Sequence, residues 1–284
     1  MENQSVAIEK TYATQLVIEP TRGWAVLKLR ELWEYRELLY FLVWRDIKVR
    51  YKQTALGVAW VVLQPLVATL IFTVVFGQLA KMPSGNLPYP LFAFAALLPW
   101  NYFAGALTRA GTSLVNNANL ITKIYFPRLI IPLSGVINGL VDFGISFLVL
   151  IALMLYFGVV PGLAIVWLPF FLLMAVGTAL GVSLWLAALA VQYRDVNHLL
   201  PFLAQVWMYA TPVVYPASLF PERWRPLLGL NPMAGVVEGF RWALTGSGDA
   251  PGPLLLISVG IIIVLLVSGL VFFRNTERTF ADVV

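Results

Sequence analysis

Asp142 is the only acid set well inside an apolar stretch of this sequence, and Asn138 precedes it by one helical turn on the same face. An ionisable group at that depth in a membrane costs roughly 2.5–3.5 kcal/mol on insertion scales, so it needs a partner or a wet cavity. Two roles fit: a carboxylate lining a pore and carrying protons, or a hydrogen-bonded acid locking two helices together. Carriers driven by protons or sodium normally show more intramembrane acids than this. His198 is the single histidine and there are no cysteines. That excludes multi-histidine zinc sets, thiolate metal sites, disulfides and cysteine nucleophiles. The polar patch Arg194, Asp195, Asn197 and His198 has neither nucleophile nor metal ligand beside it. It reads as a local ion pair or a contact surface, so no catalytic residue and no metal site is expected. Glu238 and Arg241 stand three apart, the spacing of a surface bridge on one helix face.

Nucleotide phosphates need a glycine-rich cradle, and neither G-x-x-x-x-G-K-[ST] nor a G-x-G-x-x-G opening a helix after a strand occurs. If ATP drives this protein, another polypeptide binds the ATP. Aromatic residues make up 14% of the chain. Trp100, Tyr102 and Phe103 cluster beside Pro99, and Trp207 and Tyr209 mark a later apolar run. Flat rings of this kind anchor helices at the membrane interface, or they stack on sugar faces along a conduit. Both readings stay open.

The elements that hold these residues follow from composition. With 60% hydrophobic and 12% charged residues over 284 positions, the chain cannot hide its apolar surface as a soluble globular domain. In lipid a helix satisfies its own backbone, and a crossing takes about 20 residues. Six stretches qualify or nearly so: 55–77, 91–107, 130–157, 166–191, 200–215 and 254–273. The second and fifth are short and contain Pro99, Pro201 and Pro212. The expected fold is all-α, a polytopic membrane protein with six transmembrane helices. An N-terminal amphipathic interface helix over 29–52 precedes them, with Tyr40, Val43, Trp44, Ile47 and Tyr51 on one face. Outer re-entrant helices lie between the fifth and sixth spans, within 216–253. The domains are a cytoplasmic N-terminal segment over 1–54, a transmembrane domain over 55–273 and a cytoplasmic tail over 274–284. Of the 19 Lys and Arg, only Lys81, Arg223, Arg225 and Arg241 fall on one side, which puts both termini in the cytoplasm. That distribution explains the net charge of +5 by topology, and nucleic acid is not an expected partner.

Several ordered patterns carry a resemblance. They are Leu98-Pro99-Trp100-Asn101-Tyr102-Phe103, Asn116-Asn117-Ala118-Asn119-Leu120-Ile121, Lys123-Ile124-Tyr125-Phe126-Pro127-Arg128, Tyr193-Arg194-Asp195-Val196, Ala210-Thr211-Pro212-Val213-Val214-Tyr215-Pro216, Leu230-Asn231-Pro232-Met233 and Phe240-Arg241. Together with the basic, aromatic helix before the first span, they resemble the transmembrane subunit of ABC-2 type polysaccharide exporters. These are the O-antigen, capsule and teichoic-acid permeases. The resemblance covers the chain from about Trp24 to Arg274. It implies a homodimer in the bacterial inner membrane, in contact with membrane lipid and enclosing a channel for a lipid-linked glycan such as the O-antigen of lipopolysaccharide. It implies two copies of a separate ATP-binding cassette subunit, with ATP and magnesium held there and no cofactor on this chain. The coupling helix resting on that subunit falls on 116–128, with Asn116, Asn117, Asn119, Lys123 and Arg128, and Arg194 and Asp195 make a secondary contact. The alternative cargoes are teichoic acid, a small lipid or a drug. A membrane-embedded transferase would need a histidine–carboxylate set that is missing, and a scaffold would not need six spans.

Overall fold

The computed structural model describes residues 29–52, 57–85, 87–246, 252–278 and 280; the first 28 positions, most of the expected cytoplasmic N-terminal segment before the helix, lie outside the described residues. Among the described residues every regular element is helical. In chain order these are α1 (Leu29–Glu34), α2 (Arg36–Lys52), α3 (Val58–Phe72, running on as a π-helix over Thr73–Leu79) and α4 (Tyr89–Gly111). Two short helices follow, α5 (Ser113–Asn116) and α6 (Ala118–Lys123), and then the long α7 (Ile130–Tyr156). A 3₁₀ turn at Leu163–Trp167 leads into α8 (Leu168–Gln192), followed by α9 (Val196–Ala210), α10 (Arg225–Leu230), α11 (Pro232–Thr245) and α12 (Leu254–Glu277). Five of these helical stretches are long and apolar enough to cross a membrane: Val58–Leu79, Tyr89–Gly111, Ile130–Tyr156, Leu163–Gln192 and Leu254–Glu277.

Helix α4 is the centre of the bundle. Leu91 through Trp100 are all buried, and α3, α7, α8, α9 and α11 pack around it. Helix α3 is the opposite case, with Val58, Trp60, Leu63, Val67, Leu70 and Ile71 exposed along it. Without a hydrophobic force between helices in lipid, close backbone approach through small residues supplies the adhesion. A Cβ on Gly135 of α7 would sit 2.9 Å from the Ala110 backbone of α4. Likewise a Cβ on Gly269 of α12 would sit 2.6 Å from the Gly181 carbonyl of α8. A second apolar cluster joins α2 to one end of the bundle through Leu42, Leu114, Ile121, Phe126, Ile130, Leu184, Val191 and Phe273.

The structure adds detail to two expectations. The fifth stretch, read as 200–215, is α9, whose 15 residues reach about 22 Å at 1.5 Å per residue. That falls short of a hydrocarbon core of about 30 Å. The helix stops because the ring of Pro212 disfavours helical geometry at Thr211, which is extended at φ −104° and ψ 139°. The N-terminal helix is interrupted at Tyr35, and part of the aromatic face read by spacing points away from the bundle. Tyr40, Phe41 and Trp44 are exposed, whereas Leu38, Leu39 and Leu42 turn toward the bundle. We expect Gly135→Val to destabilise the fold by ~1–3 kcal/mol through overpacking. Gly144→Ala, with nothing within 4 Å of the new Cβ, should leave it unchanged. Thermal unfolding in detergent, followed by size exclusion, checks both.

Candidate functional site

Asp142 projects from α7 toward α2 and α4. Arg50 Nη1 donates to its Oδ2 at 2.6 Å, Tyr51 Oη donates to its Oδ1 at 2.5 Å, and Arg109 Nη1 donates to Oδ2 at 3.3 Å. Arg109 Nε also donates to the Gly135 carbonyl at 3.4 Å. The carboxylate therefore ties three helices, with its side chain 23% exposed. Burial, and then the bond to Asp142, push the Tyr51 phenol up to about 12, so it remains a donor at any physiological pH. Beside this cluster lies a cavity of about 340 Å³ lined by α3, α4 and α7, with Gln64, Asn101, Thr108, Arg109, Asp142 and Ser146 among its walls. Gln64 and Asn101 are exposed. Neither is ionisable or aromatic, and Asn101 falls within the 98–103 pattern. The available signal was an uncharged amide within an apolar run.

A second polar knot sits where α9, α11 and the start of α4 meet. Asn231 and Pro232 begin α11 as cap and first-turn proline, and Gly246 ends it in the left-handed conformation at φ 64°. The Asn231 carbonyl oxygen accepts from Met233 N at 3.1 Å and Trp207 Nε1 at 2.9 Å, while its amide donates to Ala210 O and Thr211 Oγ1. Arg241, only 3% exposed, is no surface bridge. It donates to the carbonyls of Phe92, Pro212, Val213 and Tyr215 as well as to Glu238 Oε1, and its guanidinium lies 3.6 Å over the Phe92 ring. Tyr89 Oη adds a bond to Val214 O at 2.7 Å. The patterns 210–216, 230–233 and 240–241 are thus one structural unit. Pro212 breaks α9 and the cation re-satisfies the freed carbonyls.

The remaining site residues are scattered. Asn116, Asn119 and Lys123 are exposed on α5 and α6, followed by Ile124 and by Tyr125 at 77% exposure. Asn117 turns inward, accepting from Arg45 Nη2 at 2.9 Å. Arg128 is engaged by the end of α12: its backbone N donates to Glu277 Oε1 at 3.2 Å, its side chain donates to the Glu277 carbonyl, and it lies over the Phe280 ring. Arg194 and Asp195 are exposed at the turn before α9. Among the path aromatics Trp100 and Tyr102 are 3% exposed and Phe103 is fully buried. Trp207 packs edge-on against Phe103 at 5.0 Å, and Tyr209 alone is open, at 61% exposure. No group of acids and histidines able to hold a metal occurs among the described residues.

Residues 37–245 match the family described as ABC-2 type transporter. The chain belongs to that family. This ABC-2 chain is 33% identical over 261 residues to the O-antigen export system permease protein RfbA of Myxococcus xanthus, covering 89% of this chain and 98% of that protein. Its identity to an O-antigen export system permease protein RfbA of Klebsiella pneumoniae is 30% over 249 residues, 87% of this chain and 95% of the relative. It is also 25% identical to the polysialic acid transport protein KpsM of Escherichia coli over 242 residues, 82% of this chain and 91% of that one. Membership makes it a transmembrane permease subunit rather than an enzyme, and implies a partner ATP-binding subunit.

Two substitutions probe the two polar knots of this ABC-2 chain. Asp142→Ala leaves two guanidiniums facing each other, and we expect a loss of roughly 2–4 kcal/mol, toward the lower end because the group is partly exposed. In Arg241→Lys, three ammonium donors replace a planar fork that serves five acceptors. At about 1–3 kcal/mol per orphaned carbonyl, folded protein should fall sharply even though the charge is kept. Folded yield and melting temperature in detergent read both.

Proposed function

We propose that this chain is the channel-forming subunit of an ATP-driven exporter that moves a lipid-linked polysaccharide of O-antigen type across the bacterial inner membrane. The observation carrying this reading is end-to-end likeness. Relatives named as O-antigen permeases align over 87–89% of the chain at 30–33% identity. The polysialic acid transporter aligns at 25%, which ranks an O-antigen type cargo ahead of a capsule type.

In this reading two copies pair around the conduit, both termini face the cytoplasm, and the ATP-binding subunit holds the nucleotide and its magnesium. Helix α9 together with the extended stretch 211–215 makes the sixth crossing, and α10 and α11 dip back into the outer leaflet. The exposed side chains of Asn116, Asn119, Lys123 and Tyr125 rest on the ATP-binding subunit, with Arg194 and Asp195 beside them. A subunit motion shifts a conformational equilibrium only through contacts that differ between states, so the segment that bears on the ATPase has to be rigid. Arg45 on Asn117 and Glu277 on Arg128 support that rigidity, because they fix both ends of the segment to α2 and α12. Along the path, Tyr209 is the ring open to sugars, while Trp100, Tyr102 and Phe103 back the wall.

Deletion of the gene should remove polysaccharide from the cell surface while lipid-linked polymer accumulates inside, read on a surface-glycan gel. Wild-type surface glycan would end this proposal, and restored export of a polyol phosphate polymer or a small lipid would redirect the cargo. Lys123→Glu should reduce ATP-driven export several-fold with protein level unchanged. Lys123 is the cleaner probe than Arg128, whose contacts also hold α12.

A further inference from the structure

We propose that Glu277 and Phe280 are positioning residues for the segment 116–128: they form a joint where α7 begins and α12 ends, and this joint carries motion of the segment into the bundle. The inference rests on the reading that this segment bears on the ATP-binding subunit. Between the end of α6 at Lys123 and the start of α7 at Ile130 the chain is not helical. A connection of that kind yields under load unless something fixes it. Phe126 and Leu129 bury their side chains, but apolar burial has no direction of its own.

Hydrogen bonds supply the direction. The first N–H groups of a helix and its last carbonyls find no partner within it. Leu129, the N-cap of α7, makes no side-chain cap bond. Glu277 of α12 reaches across instead, and its Oε1 accepts from Arg128 N at 3.2 Å. In the other direction the Arg128 guanidinium donates to the Glu277 carbonyl, at the last residue of α12. The carboxylate thus stands at the positive end of α7 and the guanidinium at the negative end of α12, as both helix dipoles favour. Each helix caps the other. Arg274 Nη1 donates to the second carboxylate oxygen at 3.0 Å, so the Glu277 side chain, 18% exposed, is held at both oxygens.

Phe280 closes the joint. It is fully buried, packs edge-on against Phe273 with ring centroids 5.3 Å apart, and lies 5.9 Å from the Arg128 guanidinium. Its apolar cluster also takes in Leu42 of α2, Leu114 of α5, Ile121 of α6 and Ile130 of α7, the helices on every side of the segment. A local bridge joins neighbours on one helix. Arg128 and Glu277 are 149 residues apart and bond through backbone as well as side chain, so they fix where one helix end sits on the other.

The test uses the full chain with its ATP-binding subunit. Export is read as surface glycan in the complemented deletion strain, and ATP hydrolysis on the purified complex in nanodiscs. The joint itself is read by hydrogen exchange of the peptide 124–131 in that complex. Glu277→Ala should speed exchange there by about tenfold or more, the worth of a hydrogen bond to a charged group. It should lower export about threefold or more, while the complex still assembles and hydrolyses ATP within about twofold of wild type. Phe280→Ala should act in the same way. Glu277→Gln keeps an acceptor and loses the charge, so it should fall between, and it carries the test if Glu277→Ala does not accumulate. Wild-type export in the Glu277 variants, with Lys123→Glu lowering it, overturns the positioning role. Export falling only in proportion to folded complex makes Glu277 a stability residue and overturns it as well. If Lys123→Glu exports like wild type, the ATPase-docking reading falls. If the deletion strain keeps its surface glycan, the export reading falls. Exchange needs neither reading, and unchanged protection in Glu277→Ala overturns the joint in every case.

Discussion

Hydrocarbon supplies no hydrogen bonds, so a polar group carried into the bundle is answered by the chain, by trapped water or by a ligand. Most of the distinctive packing here follows from that constraint. Asp142 draws Arg50, Tyr51 and Arg109 to itself and so joins α2, α4 and α7. Pro212 frees carbonyls by ending α9, and Arg241 closes them from α11. Both knots use arginine, whose planar fork serves several acceptors at once. Asn138 Oδ1, Ser183 Oγ and Thr69 Oγ1 are buried with no partner, and the fold offers no physical account of them.

The two knots are connected by α4. Tyr89 and Phe92 meet the α11 knot near its start, and Arg109 meets Asp142 near its end. The 17 steps from Phe92 to Arg109 span about 25 Å of helix at 1.5 Å each. This central helix is packed on nearly every side and fastened at both ends, so it behaves as a strut. By contrast, α3 packs on α4 and α7 by one side and shows a long exposed apolar face on the other. The polar cavity lies between this helix and α4.

The local rules were legible in the chain. A crossing helix is the sum of about 20 contiguous apolar residues, so five spans could be drawn within a few residues of their ends, and the cost of Asp142 could be stated before its partners were known. The caps of α11, Asn231-Pro232 at one end and Gly246 at the other, are likewise local signals. The family patterns were visible as an ordered set, although their common role in one structural unit was not.

What tertiary structure alone decided is who meets whom and which way each helix faces. Arg50 lies 92 residues from Asp142, and no spacing rule reaches that far. Arg241 looked like half of a surface pair because the i,i+3 rule sees one helix only, whereas the carbonyls that bury it come from α4 and the stretch after α9. Rotation was hidden for a related reason. Helix α4 is apolar around nearly its whole circumference, so its sequence shows no polar face to orient it. Only its neighbours fix that Trp100 and Phe103 turn inward while Asn101, between them, looks out. Composition and period set the helices, since these depend on neighbours along the chain. The site depends on neighbours across space, and packing had to choose them.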